Sequence, residues 1–181
     1  MVGFFHQRIK KSLWLCALFT VVNMSAVPEG TFLDLPEKGR TLVTPSSFRL
    51  QTTALRPKVE IVVVFYSASW CTPCKPVAKA LRSSYPEIIA AEPRLEVITY
   101  SVDRSTDARA DYLRDEQFPW PAVAPELIGK ANWPKSIKEG TPSFQAFILS
   151  KQHWRAITPP GDASTIFNHA LTQLQLSKRI P

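Results

Sequence analysis

The stretch Val59-Glu60-Ile61-Val62-Val63-Val64-Phe65-Tyr66-Ser67-Ala68-Ser69-Trp70-Cys71-Thr72-Pro73-Cys74 decides the fold. Val59 to Tyr66 is a near-continuous β-branched and aromatic run, the pattern of a central strand buried on both faces. From Cys74 to Ala91 apolar residues recur at helical spacing, which predicts a helix with Val77, Ala80, Leu81, Ile88 and Ala91 inward. Pro76 is tolerated only in a first turn, so the helix should start beside the cysteines. Pro86 is expected to kink or break it.

Downstream, Leu95–Val102 reads as a second strand and Ser105–Glu116 as a polar helix with Ala108, Tyr112 and Leu113 inward. Phe118–Pro142 reads mostly as loop, with a short helix near Glu126–Ala131. Ser143–Leu149 and His153–Thr158 are a third and fourth strand, joined as a hairpin by a turn at Ser150–Gln152. Asp162 is placed to cap a last helix whose inner face is Ile166, Phe167, Ala170, Leu171 and Leu174. The fold class is α/β, with a central mixed sheet flanked by helices in the order βαβαββα.

Upstream, residues 27–57 form an N-terminal extension rich in Pro, Thr and Ser, with two short strands expected near Thr41–Val43 and Phe48–Leu50. Residues 1–26 have the pattern of a secretory signal: a basic Arg8–Lys11 region, an apolar Leu13–Val22 region, then small Ser25 and Ala26. The apolar run falls short of the roughly 20 residues that span a bilayer. Cleavage after it places the protein in the periplasm or outside the cell. Retention would anchor it to the membrane, facing away from the cytoplasm. Cys16 lies inside the apolar region after Leu13-Trp14-Leu15, a context unlike that of a lipidated cysteine.

The 181 residues carry a formal net charge of +7 and are 45% hydrophobic, a balance that supports one domain with an apolar core. Three of the positive charges, Arg8, Lys10 and Lys11, belong to the leader. The remaining excess is dispersed, without the basic stripe that nucleic-acid binding calls for.

Cleavage near Ala26 leaves Cys71 and Cys74 as the available pair, in Cys-Thr-Pro-Cys. A disulfide scaffold would use more cysteines, more widely spaced. A zinc site would need further ligands, and His153 and His169 lack a close paired spacing. A staple across so tight a loop constrains little of the unfolded chain. Exchange chemistry explains the placement better. The thiolate is the attacking species, and a helix N-terminus stabilises it with unpaired N–H groups and partial positive charge. Two intervening residues let Cys74 displace a partner from Cys71. Pro73 stiffens the turn, and Lys75 adds a nearby positive charge.

Trp-Cys-x-Pro-Cys-Lys after an apolar strand resembles the thioredoxin superfamily. The longer string Phe65 to Cys74 is similar to its tryparedoxin and nucleoredoxin branch, and to periplasmic thiol–disulfide reductases. The resemblance covers roughly Val59 to Leu176 and assigns residues 58–178 to a thioredoxin-like domain. It implies a redox-active Cys71–Cys74 disulfide, no metal, flavin or nucleotide cofactor, and a reducing direction of electron flow. It also implies a cis-proline at Pro142, within Gly140-Thr141-Pro142-Ser143-Phe144. There Thr141 and Pro142 would align an extended substrate segment, with Trp70, Thr72 and Pro73 at the rim. The partners implied are protein disulfide or dithiol substrates and a redox donor, met by a monomer.

The sequence departs from the pattern in three places. Phe65 stands where thioredoxin has a buried Asp, Val77 where related reductases carry a Glu, and Lys79 where a helix proline is usual. No acid is therefore evident beside Cys74. Asp103 ends the second strand and could approach the site; capping the helix that begins near Ser105 is the favoured reading. Trp120 and Trp133 are read as packing within their loops, with an apolar partner surface as the alternative. A competing class is a non-catalytic module that uses this surface to hold a partner while the disulfide stays passive. A thiol peroxidase is less well supported, for want of an Arg/Thr arrangement around the cysteine.

Overall fold

A computed structural model describes residues 32–33, 42–46, 49–129, 140–150 and 153–177. The leader, Cys16, Trp133 and the 151–152 turn lie outside the described residues.

Strand β4 (Ile61–Ser67) is buried at every position, as its composition demands. It pairs in parallel with β5 (Leu95–Ser101) and antiparallel with β7 (Ser143–Ser150). The remaining strands are β1 (Phe32–Leu33), β2 (Leu42–Ser46), β3 (Arg49–Thr53), β6 (Ala122–Val123) and β8 (His153–Ala156). Together they form a mixed sheet of order β1-β8-β7-β4-β5-β6-β2-β3.

The pleat splits β4 between two apolar layers. Ile61, Val63 and Phe65 join one layer; Val62, Val64 and Tyr66 join the other. Helices α1 (Cys74–Ala91), α2 (Thr106–Glu116) and α3 (Ala163–Ser177) all send side chains into the Phe65 layer. The cause is topological. The β4–α1–β5 and β5–α2–β6 crossovers step the same way across the sheet, so a common right hand puts both helices on one face.

Four expectations are corrected, in whole or in part. Helix α1 runs through Pro86 to Ala91 without ending there. Tyr85 and Ile88 pack on the core on either side of the proline, which offsets its missing N–H. The inner face of α1 is Cys74, Ala78, Leu81, Tyr85 and Ile88, with Val77 packed beside it as expected, whereas Ala80 and Ala91 are exposed. Counting from Cys74 in steps of four and three gives this face directly. Within Phe118–Pro142, Ala122–Val123 is a strand that bridges β5 and the β2–β3 hairpin. Two residues are too few to show a period. The short helix expected near Glu126 is a 3-10 turn at Pro125–Leu127.

The extension strands expected near residues 41–50 are the β2–β3 hairpin, paired from Leu42↔Thr53 to Ser46↔Arg49. Asp162 caps α3 as expected, accepting from the Thr165 amide at 3.0 Å and the Thr165 hydroxyl at 2.7 Å. Trp120 is fully buried, donating its indole N–H to Thr99 Oγ1 at 2.8 Å and stacking on Phe118. It is core, not a partner surface.

Candidate active site

Strand β4 ends at Ser67, and α1 begins at Cys74. The turn between them is drawn tight by backbone bonds: Cys71 N–H to Ala68 C=O at 3.1 Å, and Cys74 N–H to Cys71 C=O at 3.0 Å. This brings the two Cα atoms to 5.3 Å, and Cys71 and Cys74 are joined as a disulfide. No side chain caps the start of α1, and its first turn carries no acid. The positive end of the helix therefore faces the sulfurs without a competing carboxylate from that turn.

Both cysteines are buried, while Trp70, Thr72 and Pro73 around them are exposed. Trp70 is 64% exposed, an unusual position for so large an apolar ring. Beneath the pair lies an apolar floor. Phe65 and Phe144 stack with centroids 4.8 Å apart, and Phe118 meets Phe65 edge-on at 6.4 Å. Phe65 thus fills with aromatic carbon the position where an acid was considered. Val77 is half-buried against the same layer.

The second element of the site comes from β7. The Thr141–Pro142 peptide is cis, and Gly140 before it adopts φ +81°, a conformation that favours glycine. The register Tyr66↔Ser143 sets Pro142 just past the pairing end of β4, the end that leads into Cys71. Phe144 and Gly161 exchange backbone bonds of 2.8 Å each, tying the loop before α3 to the start of β7. Thr141 and Pro142 are half-buried.

Asp103 requires a correction. It does not cap α2; Ser105 does, its hydroxyl accepting from the Ala108 amide at 3.1 Å. The Asp103 carboxylate instead accepts from the Ser69 amide at 3.1 Å, the Ser69 hydroxyl at 2.7 Å and the Ser101 hydroxyl at 2.8 Å. The reason is register. The ladder pairs Ser67 with Ser101, so two residues further along the chain Ser69 and Asp103 meet. Ser69 and Ser101 were not singled out from the sequence; the parallel pairing of the two strands was the signal that could have found them.

Behind the site, the Ser67 and Tyr112 hydroxyls are hydrogen-bonded, and burial pushes the Tyr112 phenol up to about 12. Among the described residues, no group of three or more His, Cys, Asp or Glu is placed to hold a metal ion.

No family model matches the chain. Over 62 residues it is 40% identical to nucleoredoxin of Bos taurus and 39% identical to nucleoredoxin of Homo sapiens. Each match covers 34% of this chain and 14% of the relative's length. Among solved structures, thioredoxin from Wuchereria bancrofti superposes with a TM-score of 0.50 at 16% identity, covering 76% of this chain and 95% of that one. Tryparedoxin II from C. fasciculata gives 0.50 at 20% identity, covering 71% and 83%. A tryparedoxin-I mutant gives 0.51 at 18% identity, covering 71% and 87%. These likenesses show that the fold is thioredoxin-like, in keeping with the tryparedoxin and nucleoredoxin resemblance of the motif.

Proposed function

We propose that this thioredoxin-like chain is a thiol–disulfide oxidoreductase that reduces protein disulfides outside the cytoplasm. The observation that carries the reading is a disulfide at an uncapped helix start, ringed by exposed Trp70, Thr72 and Pro73 and set at the strand end that adjoins a cis Thr141–Pro142.

In the reduced protein, Cys71 is the nucleophile, because the helix N-terminus stabilises its thiolate. Its sulfur attacks one sulfur of a substrate disulfide. The substrate S–S bond breaks, and the leaving sulfur takes up a proton. Cys74 then loses its proton and attacks Cys71, forming the intramolecular bond and releasing the second substrate thiol. Two electrons pass from the dithiol to the substrate, and a dithiol donor restores the pair. Thr141 and Pro142 offer backbone groups to an extended substrate segment, with Trp70 packing beside it. Residues 1–26 supply the export signal, in keeping with their basic, then apolar, then small pattern.

Insulin reduction tests this directly. The wild type should turn over insulin with a dithiol donor, and Cys71→Ser should not. Cys74→Ser should accumulate a mixed disulfide on Cys71. A wild type that binds partners without turnover, matched by equal binding in Cys71→Ser, would favour the passive module instead. A potential near about −270 mV marks a reductant, and one near about −120 mV an oxidant.

A further inference from the structure

We propose that Asp103 is a positioning residue for the cysteine pair, acting through Ser69. The proposal rests on the oxidoreductase reading above and extends it to a residue outside the motif.

Asp103 is 2% exposed at the carboxyl edge of the sheet. Its own position is held from two sides: its N–H donates to Ser101 Oγ at 3.2 Å, and its carbonyl accepts from Arg109 Nε at 2.8 Å. From this anchored site the carboxylate grips both the amide and the hydroxyl of Ser69. Residues 68 to 70 are the whole connection between β4 and Cys71. A bond to the hydroxyl alone would orient a side chain. The added bond to the amide fixes the backbone that leads into the nucleophile.

One consequence follows for the redox equilibrium. Closing the Cys71–Cys74 bond requires both sulfurs to be held close, so a clamp on the approach to Cys71 raises their effective concentration and favours the disulfide. The carboxylate takes bonds from Ser69 N–H, Ser69 Oγ–H and Ser101 Oγ–H, two of these donors belonging to the residue that leads into the motif. The clamp thereby stabilises the oxidised form and makes the pair a stronger reductant.

The test is the equilibrium between reduced protein plus oxidised glutathione and disulfide protein plus two reduced glutathiones. Asp103→Ala should lower that equilibrium constant about tenfold, an upward shift in potential of about 30 mV. Asp103→Asn, which keeps an acceptor for Ser69, should fall between Asp103→Ala and the wild type. Ser69→Ala should shift part of the way, and the Ser69→Ala/Asp103→Ala double variant no further than Asp103→Ala alone, since coupled residues are non-additive. Ser105→Ala removes the α2 cap and should lower stability without moving the potential. If Asp103→Ala does not fold, Asp103→Asn and Ser69→Ala still decide the question. Potentials of these variants within twofold of the wild-type constant, or strictly additive effects, overturn the proposal. The oxidoreductase reading fails separately, if the wild type equilibrates with glutathione yet never reduces insulin.

Discussion

Phe65 and Phe144 face one another across the β4–β7 ladder, ring centroids 4.8 Å apart and planes 17° from parallel, inside the apolar layer that also holds both cysteines. The pair joins the strand that launches the Cys-Thr-Pro-Cys turn to the strand that follows the cis-proline. Phe65→Ala removes a fully buried ring from that junction and should cost about 3–5 kcal/mol. Urea unfolding followed by tryptophan fluorescence measures it. A loss below about 1 kcal/mol would mean that the two strands do not depend on this contact.

Trp70 poses the opposite case. Among the described residues it is the largest apolar side chain that stands exposed. Trp70→Ala should leave stability within about 0.5 kcal/mol of the wild type, as expected away from the core. The same variant should raise KM for a protein disulfide severalfold while changing the rate with a small disulfide little. Unchanged KM for both substrates would remove Trp70 from the docking surface.

Asp162 gives a prediction about acid. Hydrogen bonds from Thr165 and Ser164 hold its carboxyl near a pKa of about 2, below the ordinary 3.8. A group depressed in the folded state contributes stability above its unfolded value and loses it as pH falls through the folded one. Asp162→Ala should therefore cost about 1 kcal/mol at neutral pH. The difference from the wild type should fade from about pH 4 downward and be gone below about pH 2. Denaturation midpoints across that range check it; a constant difference would contradict the cap.

The tyrosines set the alkaline limit. Burial raises Tyr85, Tyr100 and Tyr112, the last to about 12. A neutral group whose pKa is raised by folding supports the native state below its unfolded value, near 10, and withdraws that support as pH rises through the folded one. Stability should decline above about pH 10, and tyrosinate absorbance should appear with unfolding rather than before it. Tyr112→Phe should weaken this decline, though it also leaves Ser67 without its hydroxyl partner.

Much of the molecule is legible because its signals are local. The unbroken apolar run of β4, the Asp162 cap and the Ile166–Leu174 stripe each depend on residues within a few positions of one another. The Cys-Thr-Pro-Cys turn is also local, and so is its place at a helix start. The Asp103 reading failed because two short-range patterns competed. A carboxylate just before a helix looks like a cap, yet Ser105 sits nearer and takes that role. In α1 the inward reading of Val77, Leu81 and Ile88 holds, but Ala80 and Ala91, apolar in sequence, face solvent while Ala78 meets the core.

The sequence by itself determined the strand–cysteine–helix unit and the Asp162 cap of the last helix, since these depend on propensity and near neighbours. Tertiary structure alone decided that Asp103 meets Ser69, that Phe144 stacks on Phe65, and that α1 and α2 share one face of the sheet. Those contacts join positions brought together by strand register and crossover hand, which no short window of residues contains.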